Sequence, residues 1–131
     1  MWPVRVYYED TDGMGVVYHA NHLRFLERAR TEWLRARGID QHRLAAESRL
    51  AFTVSRMLID YFKPARLDDL LEASVRVAEP RKASMVLEQA IRHRDGDDIV
   101  RATVRVACID VRTLKPRRIP YSIYAELIDA V

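Results

Sequence analysis

Apolar residues at helical spacing mark one long segment of the chain, and alternating apolar residues mark several shorter ones. From Asn21 to Arg37 the residues Leu23, Phe25, Leu26, Ala29, Trp33, Leu34 and Ala36 fall on one broad arc, and Gly38 supplies a stop. That arc is wider than the ~100° stripe of a helix lying on a surface, so the spacing predicts a helix gripped by a curved sheet. The stretch Pro3 to Glu9, "PVRVYYE", has the β-branched and aromatic content of a strand, and turn residues break it from Asp10 to Gly15.

Four more strands follow. Phe52 to Phe62 ends before Pro64, and Leu70 to Glu79 places Leu71, Ala73, Val75 and Val77 on one face before Pro80. "ASMVLEQAIRHR" and "IVRATVRVACIDV" flank Asp95-Gly96-Asp97-Asp98, and Asp-Gly between alternating runs predicts a hairpin. In the second run Val100, Ala102, Val104, Val106 and Cys108 share a face. Beyond "LKPRRIP", which Pro116 and Pro120 keep extended, "YSIYAELIDA" predicts a short C-terminal helix. The order is that of an α+β fold in which one antiparallel sheet wraps one helix, formed by a single domain over residues 1–131. One helix covers only the inner face of such a sheet, so a second subunit is expected on the apolar surface left over.

Composition narrows this picture only slightly. Of 131 residues 49% are apolar and 31% charged, ordinary values for a globular chain. No run approaches the ~20 apolar residues of a membrane span and no cleavable leader stands at the start, so a cytoplasmic protein without stable membrane insertion is expected. Cys108 is the only cysteine and reads as a strand core residue. The net charge of +3 is spread over every segment without an aromatic-interleaved basic stripe, which argues against nucleic acid. A solvated basic surface or a phosphate-bearing small molecule fits instead.

The candidate chemistry lies between the first strand and the helix, in "YEDTDGMGVVYHAN". Three carboxylates, Glu9, Asp10 and Asp12, precede two glycines and an apolar "VVYHA" that runs straight into the helix start. Asp10 and Asp12 could simply be turn formers whose side chains bond local N–H groups. An apolar wall beside a carboxylate, next to helix N–H groups that lack partners, is equally the outline of a reaction site. Those N–H groups suit an oxygen that becomes negative during reaction. Capping preference favours Asn21 as N-cap, with the helix starting as early as His19. The backbone of His19 could then donate to an oxyanion, or its imidazole could assist proton transfer. A Gly-x-Ser-x-Gly elbow, a Walker loop and a dinucleotide fingerprint are all absent, and His19 with His22 lacks a third metal ligand nearby.

"VYYEDTDGMGVVYHANHLRFLERARTEWLR" resembles the signature of the hotdog-fold acyl-CoA thioesterases of the 4-hydroxybenzoyl-CoA thioesterase class, most closely the subgroup encoded with the bacterial Tol-Pal system. The pattern runs from Val4 to about Gly38, and "YFKPARLDDLLE" and "PRKAS" are also similar to the subgroup. The resemblance implies the hotdog fold and assigns Asp12 as the catalytic carboxylate. It implies that the His19 backbone amide polarises the thioester carbonyl, that Tyr8 lines the site, and that Arg81, Lys82 and Ser84 lie in the segment contacting coenzyme A. Val17 and Tyr18 wall the acyl group on this reading. Met14 stands where the family commonly has a small residue.

On these parts the expected reaction is hydrolysis of an acyl-CoA thioester with no metal or other cofactor, Asp12 acting as nucleophile or as general base. A homodimer or homotetramer is expected, with an acyl carrier protein as a second candidate partner. Two alternatives stay open: a hotdog 3-hydroxyacyl thioester dehydratase, and a non-catalytic scaffold for acyl carrier protein or phospholipid-synthesis proteins.

Overall fold

A computed structural model describes residues 1–131. Five strands form one antiparallel sheet: β1 (Trp2–Arg5), β2 (Leu50–Tyr61), β3 (Leu70–Pro80), β4 (Ser84–His93) and β5 (Asp98–Asp110), in the order β1-β3-β4-β5-β2. The inner face is built by alternation. Leu71, Ala73 and Val77 of β3, Met85, Leu87 and Ile91 of β4, and Val100 to Cys108 at every second position of β5 are all buried. Helix α1 (His22–Ala36) lies against this face and buries Phe25, Leu26, Ala29, Trp33 and Leu34. This is the hotdog arrangement expected from the sequence. The hairpin at Asp95-Gly96 and the C-terminal helix α3 (Tyr121–Asp129) are also present. No helix is long and apolar enough to cross a membrane.

A buried polar side chain interrupts the apolar inner face. Gln89 of β4 donates to the Leu26 carbonyl of α1 at 3.1 Å and accepts from Arg30 at 3.0 Å, so a side chain 3% exposed has its polar atoms satisfied across the helix–sheet boundary. The pair fixes how α1 sits on β4.

Two expectations need correction, and one element was not foreseen. The opening strand stops at Arg5, because the Asp10 carboxylate takes the Tyr7 N–H at 2.8 Å and folds Tyr8–Asp10 into a 3-10 turn instead of continuing the ladder. Leu23 and Ala36 lie outside the core, so the buried arc of α1 is narrower than its apolar arc. A second helix, α2 (Gln41–Ser48), was not expected from the pattern. It buries no residue fully and so has no apolar stripe to betray it; the Asp40 side chain caps it by accepting the Arg43 N–H at 3.1 Å.

The edges of the sheet are β1 and β2. α1 lies over β3 and β4, whereas α2 is the helix packed on β2. Edge strand β2 thus carries Val54, Leu58 and Tyr61 exposed, with Phe62 beyond its end.

Candidate active site

The segment between β1 and α1 is held by backbone bonds on both sides. Val17 N–H donates to the Ala65 carbonyl at 2.7 Å, Asp12 N–H to Val16 at 2.8 Å, and Tyr18 N–H to Asp10 at 3.0 Å. The turn in the middle depends on Gly15, whose φ of 81° falls in the left-handed region. Gly13 has no positive φ, so only one of the two glycines is needed for the backbone shape.

Asp12 sits half-buried at the head of this turn. Its Oδ1 accepts the Met14 N–H at 2.7 Å and the Val16 N–H at 3.4 Å, which orients the carboxylate and occupies one oxygen. The turn-forming role and the chemical role are therefore compatible: Oδ1 holds the loop, and Oδ2 takes no protein donor. Asp10 is different. It is 6% exposed, and both its oxygens are engaged, Oδ2 by Tyr7 N–H and Oδ1 by the Asn21 side-chain amide at 2.8 Å. Of the crowded carboxylates, only Asp12 offers a free oxygen at the turn; Glu9 is exposed on the preceding 3-10 turn.

A 3-10 turn, His19–Asn21, leads into α1. Asn21 occupies the cap position but does not cap, because its side chain is committed to Asp10. The N–H groups of His19 and Ala20 have neither a backbone nor a side-chain acceptor, which leaves two donors at the helix start. The His19 imidazole is exposed and lies against Tyr18, ring centroids 4.6 Å apart. His22, one turn on, is 3% exposed with no partner on Nδ1; burial, reinforced by the charge of His19, lowers its pKa to about 4.

Other expected site residues are scattered. Tyr8 is exposed on its 3-10 turn, and Val17 packs into the core, so of the expected acyl wall Tyr18 alone stands beside His19. Arg81 forks onto Glu79 through two bonds of 3.1 Å, which raises its pKa further and leaves it less free for a phosphate. Ser84 begins β4 and its carbonyl accepts the Arg81 N–H at 2.8 Å. Lys82 lines a groove of about 520 Å³ with Arg118, Ile119, Pro120, Tyr121 and Tyr124. Arg118 and Tyr121 were not assigned to the site from the sequence; the basic pair and aromatic in "PRRIPY" are the signal that could have found them. Tyr61 was missed too, since only the fold brings the end of β2 to the helix start, where its hydroxyl donates to the His19 carbonyl at 2.9 Å.

A carboxylate with one free oxygen thus stands seven residues before open helix-start donors, in a sheet wrapped on a helix. The profile of the Thioesterase-like superfamily matches residues 6–127, and the chain belongs to that family. The chain is 50% identical to the acyl-CoA thioester hydrolase YbgC of Escherichia coli O6:H1 over 125 residues, covering 95% of this chain and 92% of the relative. It is 48% identical to the acyl-CoA thioesterase YbgC of Haemophilus influenzae, covering 95% and 90%. Among solved structures, a probable thioesterase from Bartonella henselae superposes with a TM-score of 0.86 at 40% identity, covering 91% of this chain and 97% of the other.

Proposed function

We propose that this thioesterase hydrolyses acyl-CoA, with Asp12 and the start of α1 as its working parts. The observation that carries the reading is Asp12 itself: loop amides grip Oδ1 and leave Oδ2 for the substrate. The relatives named acyl-CoA hydrolases support the substrate class. Oxygen Oδ2 either attacks the thioester carbon, expelling the thiolate of coenzyme A and forming an anhydride that water cleaves, or takes a proton from the water that attacks. In both routes the carbonyl oxygen gains charge, and the N–H groups of His19 and Ala20 receive it.

Coenzyme A also needs cations for its phosphates and a surface for its adenine. Lys82 and Arg118 supply the charge and Tyr121, 83% exposed, supplies an open ring. Yet Lys82 and Asp12 belong to opposite ends of the sheet. Lys82 precedes the first residue of β4, whereas Asp12 lies near the end of β2 and the start of β3. A 12-residue strand is about 40 Å long, too far for one pantetheine arm to follow comfortably within a single chain. Pairing two β2 edges antiparallel about a two-fold axis brings the Leu50 end of one strand to the Tyr61 end of the other, and the partner's Lys82 toward Asp12. A homodimer is thus part of the site. Light scattering that returns a 15.3 kDa monomer at micromolar concentration overturns this assembly.

The test of function is thiol release from a panel of short aliphatic, long aliphatic and hydroxybenzoyl-CoA, with the matching acyl carrier protein thioesters alongside. Hydrolysis of at least one CoA thioester is expected. Unsaturated product without thiol release would favour a dehydratase, and inertness a scaffold.

A further inference from the structure

Tyr61 ends β2, and its Oη donates to the carbonyl of His19 at 2.9 Å, 42 residues away in sequence. The ring stands edge-on to the His19 imidazole at 6.2 Å and 5.8 Å from that of His22. His22 is in turn packed edge-on against Phe25 at 5.8 Å, so the phenol is braced by a buried imidazole. Partial desolvation against the helix start raises the Tyr61 pKa, and the hydroxyl keeps its proton to donate at neutral pH.

The bond acts on a particular peptide unit. The carbonyl of His19 and the N–H of Ala20 belong to the same amide, and an amide that accepts a hydrogen bond at oxygen becomes a stronger donor at nitrogen. That N–H is one of the two left open at the helix start. The His19 carbonyl, which also accepts the His22 N–H, is the one wired to an open donor, so the bond from the phenol reaches that donor through the peptide. The link also spans from the edge strand, where a second subunit would pair, to the carbonyl-binding turn.

We propose that Tyr61 is a positioning residue for thioester hydrolysis: its hydroxyl fixes and polarises the His19–Ala20 peptide, so that the Ala20 N–H joins the His19 N–H in stabilising the oxyanion. The inference rests on the acyl-CoA reading above. It predicts a contribution felt when charge develops on the carbonyl oxygen, and little effect on substrate capture.

The experiment compares wild type with Tyr61→Phe, which keeps the ring and removes only the hydroxyl, using whichever CoA thioester of the panel is hydrolysed fastest. The expected result is a roughly tenfold lower kcat with KM within about twofold and an unchanged melting temperature. In the Asp12→Asn background, infrared difference spectra of the same thioester carrying a ¹³C carbonyl read its polarisation directly. The downshift of the carbonyl stretch on binding should be smaller when Tyr61→Phe is added. An unchanged kcat, or a lower kcat with the same carbonyl stretch and a lower melting temperature, overturns the inference and reduces Tyr61 to a structural tie. A wild type that releases no thiol from any member of the panel overturns the acyl-CoA reading and the inference with it.

Discussion

The carboxylate of Asp10 and the side-chain amide of Asn21 meet at 2.8 Å, both residues buried, and join the 3-10 turn after β1 to the one that leads into α1. Asp10 also accepts the Tyr7 N–H, so it faces two donors. Asp10→Asn turns one of these contacts into donor against donor, and Asp10→Ala strands the Asn21 amide in the interior. Each should lower stability by about 1–3 kcal/mol, read as a falling thermal midpoint. Loss of activity in these variants should follow the loss of structure, with little change of kcat in whatever remains folded.

Asp12 should behave in the opposite way. Asparagine at this position keeps an acceptor for the Met14 N–H, so Asp12→Asn preserves the turn while removing base and nucleophile. Its kcat should fall at least ~100-fold at an unchanged thermal midpoint. His19→Ala leaves the backbone N–H in place and should lose activity only in part. A pH–rate limb near neutrality that disappears in His19→Ala would assign the imidazole a proton-transfer role; an unchanged profile at reduced rate would leave the amides and Asp12 as the working pair.

The two glycines beside Asp12 should differ in what they tolerate. Gly13→Ala meets no atom within 4 Å and has no positive φ to strain, so stability and kcat should both survive. Gly15→Ala must hold alanine at φ 81° and should cost about 1 kcal/mol. Because Gly15 lies between Met14 and Val16, whose N–H groups hold Oδ1 of Asp12, that strain should also reduce kcat. Equal effects of the two substitutions would separate the turn geometry from catalysis.

His22 provides a pH dependence of stability. Its folded pKa of about 4 lies below the unfolded value near 6.5, so between these pH values the unfolded chain binds a proton that the folded chain refuses. The stability it contributes is complete above about pH 6.5 and is lost as pH falls toward 4. His22→Phe fills similar space without a titrating group or an unpartnered Nδ1. Thermal midpoints measured at pH 7 and pH 5 should draw closer together in this variant, mainly by a rise at pH 5; parallel curves for the two proteins would refute the assignment.

The sequence by itself determined the sheet, the long helix and the glycine-bearing turn that holds Asp12. Alternation from Val100 to Cys108 and helical spacing from Phe25 to Leu34 are local periodicities, and burial enforces them wherever the chain packs. Asp12 was legible through its turn, since Asp-Gly with a second glycine is a local signal, and through the family signature around it. Helix α2 stayed hidden because it buries nothing fully and leaves no period to read. What only the tertiary structure decided are relations between segments distant in sequence. Asp10 and Asn21, Arg30 and Gln89, and Tyr61 and His19 pair across 11, 59 and 42 residues. Such pairs have no spacing to announce them: a hydrogen bond depends on where two segments meet in space, and that is settled by the packing of the whole sheet on α1. For the same reason the sequence placed Arg81 with Lys82 as neighbours of equal standing, whereas folding brings Glu79 against the first and Arg118 and Tyr121 beside the second.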